Sequence, residues 1–406
     1  MAAAKTIFGF LRAWFTGSAK NDLGDGWISH LTYISMFKKL RLVQPNWIWI
    51  TTLPALAALA MLIGCGSSST HLGFIALRGP NEIAVYRIHN QSAAFTSIIG
   101  SPFAAGVSPS SVVAHPSKNF VYVANQGEND ISLFKVNHQS GVLNEVTPRV
   151  ATGFFPASLA MDSGGTLLYA ANEASNSISV YTINSGTGVL TAVTGSPFVT
   201  GPGPTKLKVS PSGKFLYVLS SNLASIYAYA ITSGTGALQA VAGSPFVVGP
   251  SPSSFAIDPA EHFFYVTNAS TSTVSVFTIN STSGALTIVP QSPFSTTATP
   301  SSTLPVDVIP SPSGNFLYVL NSSTDNISEY SIGSGGVLTL LTNSPVATSG
   351  TGPIFLIFDS TGNFLFVGNQ GSNTINAFSL GSDGTLTSSS TSPSVGASPS
   401  SMAVLP

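Results

Sequence analysis

One hexapeptide comes back along this chain at a nearly fixed interval. Phe120-Val121-Tyr122-Val123-Ala124-Asn125 returns, with small changes, at 167–172, 215–220, 263–268, 316–321 and 364–369, and a worn copy stands at 72–77. The central aromatics are Phe74, Tyr122, Tyr169, Tyr217, Tyr265, Tyr318 and Phe366, so the steps are 48, 47, 48, 48, 53 and 48 residues. A period of this size means one supersecondary unit copied and packed against itself. It overrides the two or three separate domains that 406 residues would otherwise suggest.

Each full copy divides into four short apolar runs. In the best-formed one they lie at 204–209, 215–219, 225–231 and 238–241. Ser-Pro-Ser-Gly, Ser-Asn, Ser-Gly-Thr-Gly and Gly-Ser-Pro separate and follow them. β-Branched and aromatic runs punctuated in this way are strands of a meander. No helical period is visible after Cys65. The second run is apolar at both parities: Phe120, Tyr122 and Ala124 on one face, Val121 and Val123 on the other. A sheet wet on one side would alternate, so these sheets are covered on both faces. Four-stranded antiparallel sheets packed around an axis meet that demand, and seven aromatic centres predict an all-β, seven-bladed β-propeller. A parallel β-helix has shorter coils. The ends predict closure. The first copy lacks a first strand, while the tail Pro399-Ser400-Ser401-Met402-Ala403-Val404 matches Pro109-Ser110-Ser111-Val112-Val113-Ala114 and has nothing after it. The tail can complete the first blade and remove an open sheet edge.

Charged residues make up only 7% of the chain, so the surface is one of neutral hydrogen-bonding groups. Basic residues cluster only at Lys38-Lys39-Leu40-Arg41, which excludes a nucleic-acid footprint. A single cysteine, Cys65, excludes an internal disulfide. That basic cluster precedes an apolar stretch, 47–63, and then Leu62-Ile63-Gly64-Cys65. Basic, apolar and small-residue regions in this order form a secretory signal. The cysteine after a small residue resembles the lipobox of bacterial lipoproteins, in which the thiol takes a diacylglycerol and becomes the mature N-terminus. The other reading is an uncleaved membrane span. Residues 1–35 fit no signal, and Met36 reads as a better start. The expected organisation is therefore a leader at 1–64, a tether at 65–71 and the propeller at 72–406. The expected location is the cell envelope, with the bilayer as partner through Cys65 and a monomeric body.

Tyr265-Val266-Thr267-Asn268 resembles the signature of the YVTN family of surface propellers. The wider unit Ser210-Pro211-Ser212-Gly213-Lys214-Phe215-Leu216-Tyr217-Val218 is similar to the seven-bladed lactonase family, which includes 6-phosphogluconolactonases and carboxymuconate cyclases. The resemblance covers about 72–406. It implies lactone hydrolysis, with no cofactor, and a Gly-Pro-Arg-His element at the start of a first strand. The corresponding residues are Gly203-Pro204-Thr205-Lys206, so Arg and His are replaced. The expectation is therefore a non-catalytic scaffold that binds a small molecule or an envelope protein, with a lactone hydrolase as the alternative.

Residues shared by most blades are explained by the fold. The Asn at 125, 172, 268, 321 and 369 reads as a turn cap bonding its own backbone. Ser-Pro-Phe at 101–103, 196–198, 244–246 and 292–294 reads as a proline that stops the fourth strand and a phenylalanine between blades. Function is expected where copies differ. Aligned first strands give the column Ser111, Ser158, Lys206, Ser254, Asp307, Phe355 and Ser401, ringing one mouth of the channel. Lys206 and Asp307 are its only ions, and Lys208 shares a strand face with Lys206. An anionic ligand between the lysines is one reading, and a plain ion pair is the other. The loops after the second strands add Arg78, Glu128 and Glu173. The run 125–130 hints at calcium but lacks the spacing of a dedicated loop, so no metal is expected. No nucleophile elbow or zinc motif is present, and Ser132 and Lys135 point to opposite faces of a strand. No catalytic residue is assigned.

Overall fold

Tyr122, Tyr169, Tyr217, Tyr265, Tyr318 and Phe366 are fully buried, and their strands are buried almost end to end. That is the double-sided burial expected from their unbroken apolar runs. Each such ring is worth roughly 1.5–3 kcal/mol. The computed structural model describes residues 70–298, 301–389 and 393–405, which lie within one of two compact units, Ser68–Pro406. The leader, Cys65 and most of the expected tether fall outside the described residues. The first strand, Thr70–Leu77, begins two residues inside the expected tether.

Seven antiparallel sheets follow one plan, each running from an innermost strand outward to a third and a fourth. We number the blades 1–7 in chain order. Blade 1 takes its innermost strand, Pro399–Val404, from the tail, in the register Phe74↔Ala403 and Ile75↔Met402. The apolar clusters lie between neighbouring blades; Leu207 and Leu216 of blade 4, for example, pack with Ala160 and Tyr169 of blade 3. Turn glycines let blades approach closely. Gly384 has a φ of 85°, and a Cβ there would stand 2.2 Å from the ring of Phe316. Its carbonyl accepts from the hydroxyl of Tyr318, 2.8 Å away, which ties blade 6 to blade 7.

The Ser-Pro-Phe element does not end the outer strand. The chain steps out of the sheet and pairs again with the third strand at Phe103–Ala104, Phe198–Val199, Phe246–Val247, Phe294–Ser295 and Val346–Ala347. At the step the serine hydroxyl replaces the missing backbone acceptor. Val85, Val180, Ala228, Val276 and Glu329 donate their N–H groups to Ser101, Ser196, Ser244, Ser292 and Ser344 at 2.8–3.0 Å. Phe103, Phe198, Phe246 and Phe294 pack into the clusters between blades, as expected.

The recurrent asparagine is not a left-handed turn cap. Asn268 is extended, with φ −111°, and the group as a whole is buried. Its amide braces the third strand across the hairpin: Asn172 donates to Ser177 and Ser179, and Asn268 to Thr273 and Ser275, at 2.9–3.1 Å. The left-handed residue comes four positions later, at Asn81, Asn129, Asn176, Ala224, Ser272, Asp325 and Asn373. Its side chain latches the next blade. Asn81, Asn129, Asn176, Asp325 and Asn373 accept from the N–H of Ser108, Phe155, Gly203, Gly352 and Ser398 at 2.7–2.9 Å. Those five, with Ser251 and Leu304, directly precede an innermost strand, and all seven have φ between 47° and 63°.

Ala224 alone offers no acceptor, and it leaves Ser251 without the latch. Asparagine tolerates the left-handed geometry far better than alanine. Ala224→Asn is expected to stabilise the fold by about 1 kcal/mol, read as a higher urea midpoint with an unchanged slope.

Candidate functional site

Every innermost strand begins at a proline, where the missing N–H costs no ladder bond. In all seven pairs with the second strand the register then slips by one residue, as between Pro204 and Lys206. Such a bulge re-aims the next side chain, and that side chain belongs to the column Ser111, Ser158, Lys206, Ser254, Asp307, Phe355 and Ser401.

The ordinary task of this column is to join blades. Ser401, Ser111 and Ser158 accept from the N–H of Val112, Leu159 and Leu207 in the next blade, at 3.3, 3.0 and 3.4 Å. Asp307 does the same for Leu356 at 2.9 Å. Lys206 and Phe355 have no acceptor and break the series. Lys206 instead reaches across blade 5. Its Nζ donates to Ser254 Oγ and, at 2.6 Å, to Asp307 Oδ1. Ser254 donates to the same carboxylate oxygen at 2.6 Å. Both oxygens of Asp307 are thus bonded, and its side chain is 8% exposed against 25% for Lys206. Burial pushes the Asp307 carboxyl up, but Lys206, Lys208 and the hydrogen bonds from Lys206 and Ser254 together hold it below the usual range.

Lys208 is different. It is partly exposed, and its ammonium makes no ion pair or hydrogen bond among the described residues. Its counterparts in the other blades are Val113, Ala160, Ala256, Ile309, Ile357 and Ala403. One ammonium therefore stands in an apolar row. Burial and, secondarily, repulsion from Lys206 pull it down to about 8, against a smaller opposing pull from Asp307.

The remaining sequence candidates sit on loops of the same mouth and do not join this group. Arg78 donates to Gln126 at 3.0 Å across the seam between blades 1 and 2. Glu128 is held by Arg149 and by the N–H of Val107 at 3.1 Å. Glu173 lies in blade 3 with its carboxylate unbonded. Both acids of the run 125–130 are already engaged: Glu128 by Arg149, and Asp130 by Asn125, which donates to it at 2.6 Å. Among the described residues no three acids, histidines or cysteines cluster as metal ligands do. His115 bridges Ser117 and the carbonyl of Gly165, both at 2.8 Å, which is a structural role.

A family model described as "Lactonase, 7-bladed beta-propeller" matches residues 80–207, 194–301 and 292–404. Among solved structures, a candidate 6-phosphogluconolactonase from Bacteroides fragilis superposes with a TM-score of 0.72 at 21% identity, covering 84% of this chain and 99% of that one. A periplasmic gluconolactonase from Pseudomonas aeruginosa gives 0.70 at 20% identity, covering 83% and 99%. A Lactobacillus plantarum protein gives 0.72 at 19%, covering 83% and 100%. Likeness at these identities is likeness of fold. No curated protein matches the sequence.

Proposed function

We propose, from the premise that this chain belongs to the lactonase family of seven-bladed β-propellers, that it is a lipid-anchored envelope protein that captures a small organic anion at its channel mouth without turning it over. The observation that carries this reading is the unequal state of the two lysines. Lys206 is neutralised by Asp307, so only Lys208 has charge to offer. A carboxylate or phosphate would find there a cation already stripped of part of its water, and such contacts are stronger than surface pairs. The lactonase arginine and histidine are Thr205 and Lys206, and Asp307 has no free oxygen to act as a base. Acylation of Cys65 would hold the propeller at the membrane, in keeping with the periplasmic location named for the Pseudomonas relative.

The second reading is lactone hydrolysis, which the family favours. Lys208, with its ammonium near 8, would serve as the base that takes a proton from the attacking water. Thermal shift of the mature chain with gluconate, 6-phosphogluconate and glucose tests the first reading. The anions are expected to raise Tm and glucose to leave it unchanged. Lys208→Met is expected to abolish the shift. Affinity should fall as pH rises through about 8, because the lysine loses its charge there. Turnover of a lactone panel by the wild type, lost in Lys208→Met, would replace the first reading with the second.

A further inference from the structure

We propose that Phe154 and Phe155, set between the loops that carry Glu128 and Glu173, form a docking site for a basic segment of a polypeptide partner. The fold gives no reason for these two rings. Phe155 precedes the innermost strand of blade 3, the left-handed position that other blades fill with serine, glycine or leucine. A bulky residue there is an outlier, with a φ of 63°. The ring is 46% exposed and its neighbour Phe154 is 67% exposed, so burial does not offset the strain. Strain that packing does not account for is a pointer to function.

The pair is also held still. Phe154 N–H donates to Ser175 Oγ at 3.0 Å, and Phe155 N–H to Asn129 Oδ1 at 2.7 Å. Their carbonyls accept from Ala174 and Glu173 at 3.2 and 2.9 Å. Four hydrogen bonds thus fix the backbone that presents the two exposed rings, which lowers the cost of ordering them for contact.

Charge identifies the occupant. On one side Glu128, Asp130 and Glu145 surround a single guanidinium, Arg149, which leaves that group two charges negative. On the other side the Glu173 carboxylate has no partner among the described residues. Aromatic faces flanked by net negative charge attract guanidinium and ammonium groups through cation–π and ionic contacts together. Glu128 and Glu173 stand on loops of adjacent blades with both exposed rings between them. That suits successive basic side chains of an extended chain better than one small cation. This site is separate from the anion site in the channel and stands without it.

Fluorescence anisotropy with a labelled hexa-arginine peptide tests the proposal, with labelled hexaglutamate as the control. The mature chain is expected to bind the arginine peptide, more weakly at higher salt, and not the glutamate peptide. The double variant Phe154→Ser/Phe155→Gly keeps every charge and is expected to bind about tenfold more weakly. Its Tm should be unchanged or higher, because blades 4 and 7 already carry Gly203 and Gly352 at this position. Glu173→Gln is expected to weaken binding as well. Equal binding by the double variant would reduce the effect to unspecific attraction and overturn the proposal. So would full competition by tetramethylammonium, which would assign the rings to a small cation.

Discussion

Asp307→Ala should lower stability by about 3 kcal/mol, the low end of what breaking a buried ion pair costs. Three groups lose their partner at once: the ammonium of Lys206, the hydroxyl of Ser254 and the N–H of Leu356. Lys206 is a quarter exposed and can turn toward the wet channel, so the cost should not reach the full range. For a domain of this size the loss corresponds to roughly 4 °C in Tm. The informative companion is Lys206→Ser/Asp307→Ser. Serine is what the column carries at Ser111, Ser158, Ser254 and Ser401, and Ser111, Ser158 and Ser401 each cap the next blade's N–H. The double variant should restore two such caps, to Phe255 and Leu356, and recover to within about 1 kcal/mol of wild type. A double variant as unstable as Asp307→Ala would mean that the pair, and not the series of caps, holds blades 4 to 7 together.

The column was legible because the repeat aligns the blades. Once Tyr122 and Tyr217 are in register, so are Ser111 and Lys206, and the odd residues stand out. The ring of seven and its closure followed from spacing and from an unmatched first strand at the tail. The links between blades were less legible, since they join residues some 25 to 50 positions apart. Nothing local in Asn129 shows that it will hold the N–H of Phe155, and nothing in Ser254 shows that it will stand between Lys206 and Asp307. The asparagine at 125, 172 and 268 was misread because asparagine near a turn usually takes the left-handed position. Here that position lies four residues on, and the side chain's work is across the hairpin. Ser-Pro-Phe was misread because proline usually ends a strand, whereas the hydroxyl before it carries the sheet over the gap.

Glu329 was overlooked although its signal was present. In the third-strand column it stands with Val85, Leu133, Val180, Ala228, Val276 and Ala377. It is fully buried, and Oε1 accepts from the N–H of Leu386 at 2.7 Å while Oε2 has no partner. Burial, and to a lesser degree the nearby Asp383, raise its carboxyl above the ordinary value, against the pull of the Leu386 bond. Tyr318 is the other titratable group that faces it. A carboxyl raised in the folded state binds a proton that the unfolded chain has already released. Its contribution to stability is then complete below the unfolded value, near pH 4.3, and is lost as pH rises through the higher folded value. Glu329→Val, the residue of blades 1, 3 and 5, should match wild type in acid and exceed it by about 1–3 kcal/mol at pH 8, the range for relieving one unsatisfied buried polar group. Glu329→Gln keeps the shape and an acceptor for Leu386 but cannot ionise, so its stability should vary less with pH than the wild type's. Urea unfolding of the three proteins from pH 4 to pH 9 measures this directly. Parallel curves across that range would show that Glu329 keeps its charge and that a water or an unseen donor satisfies its second oxygen.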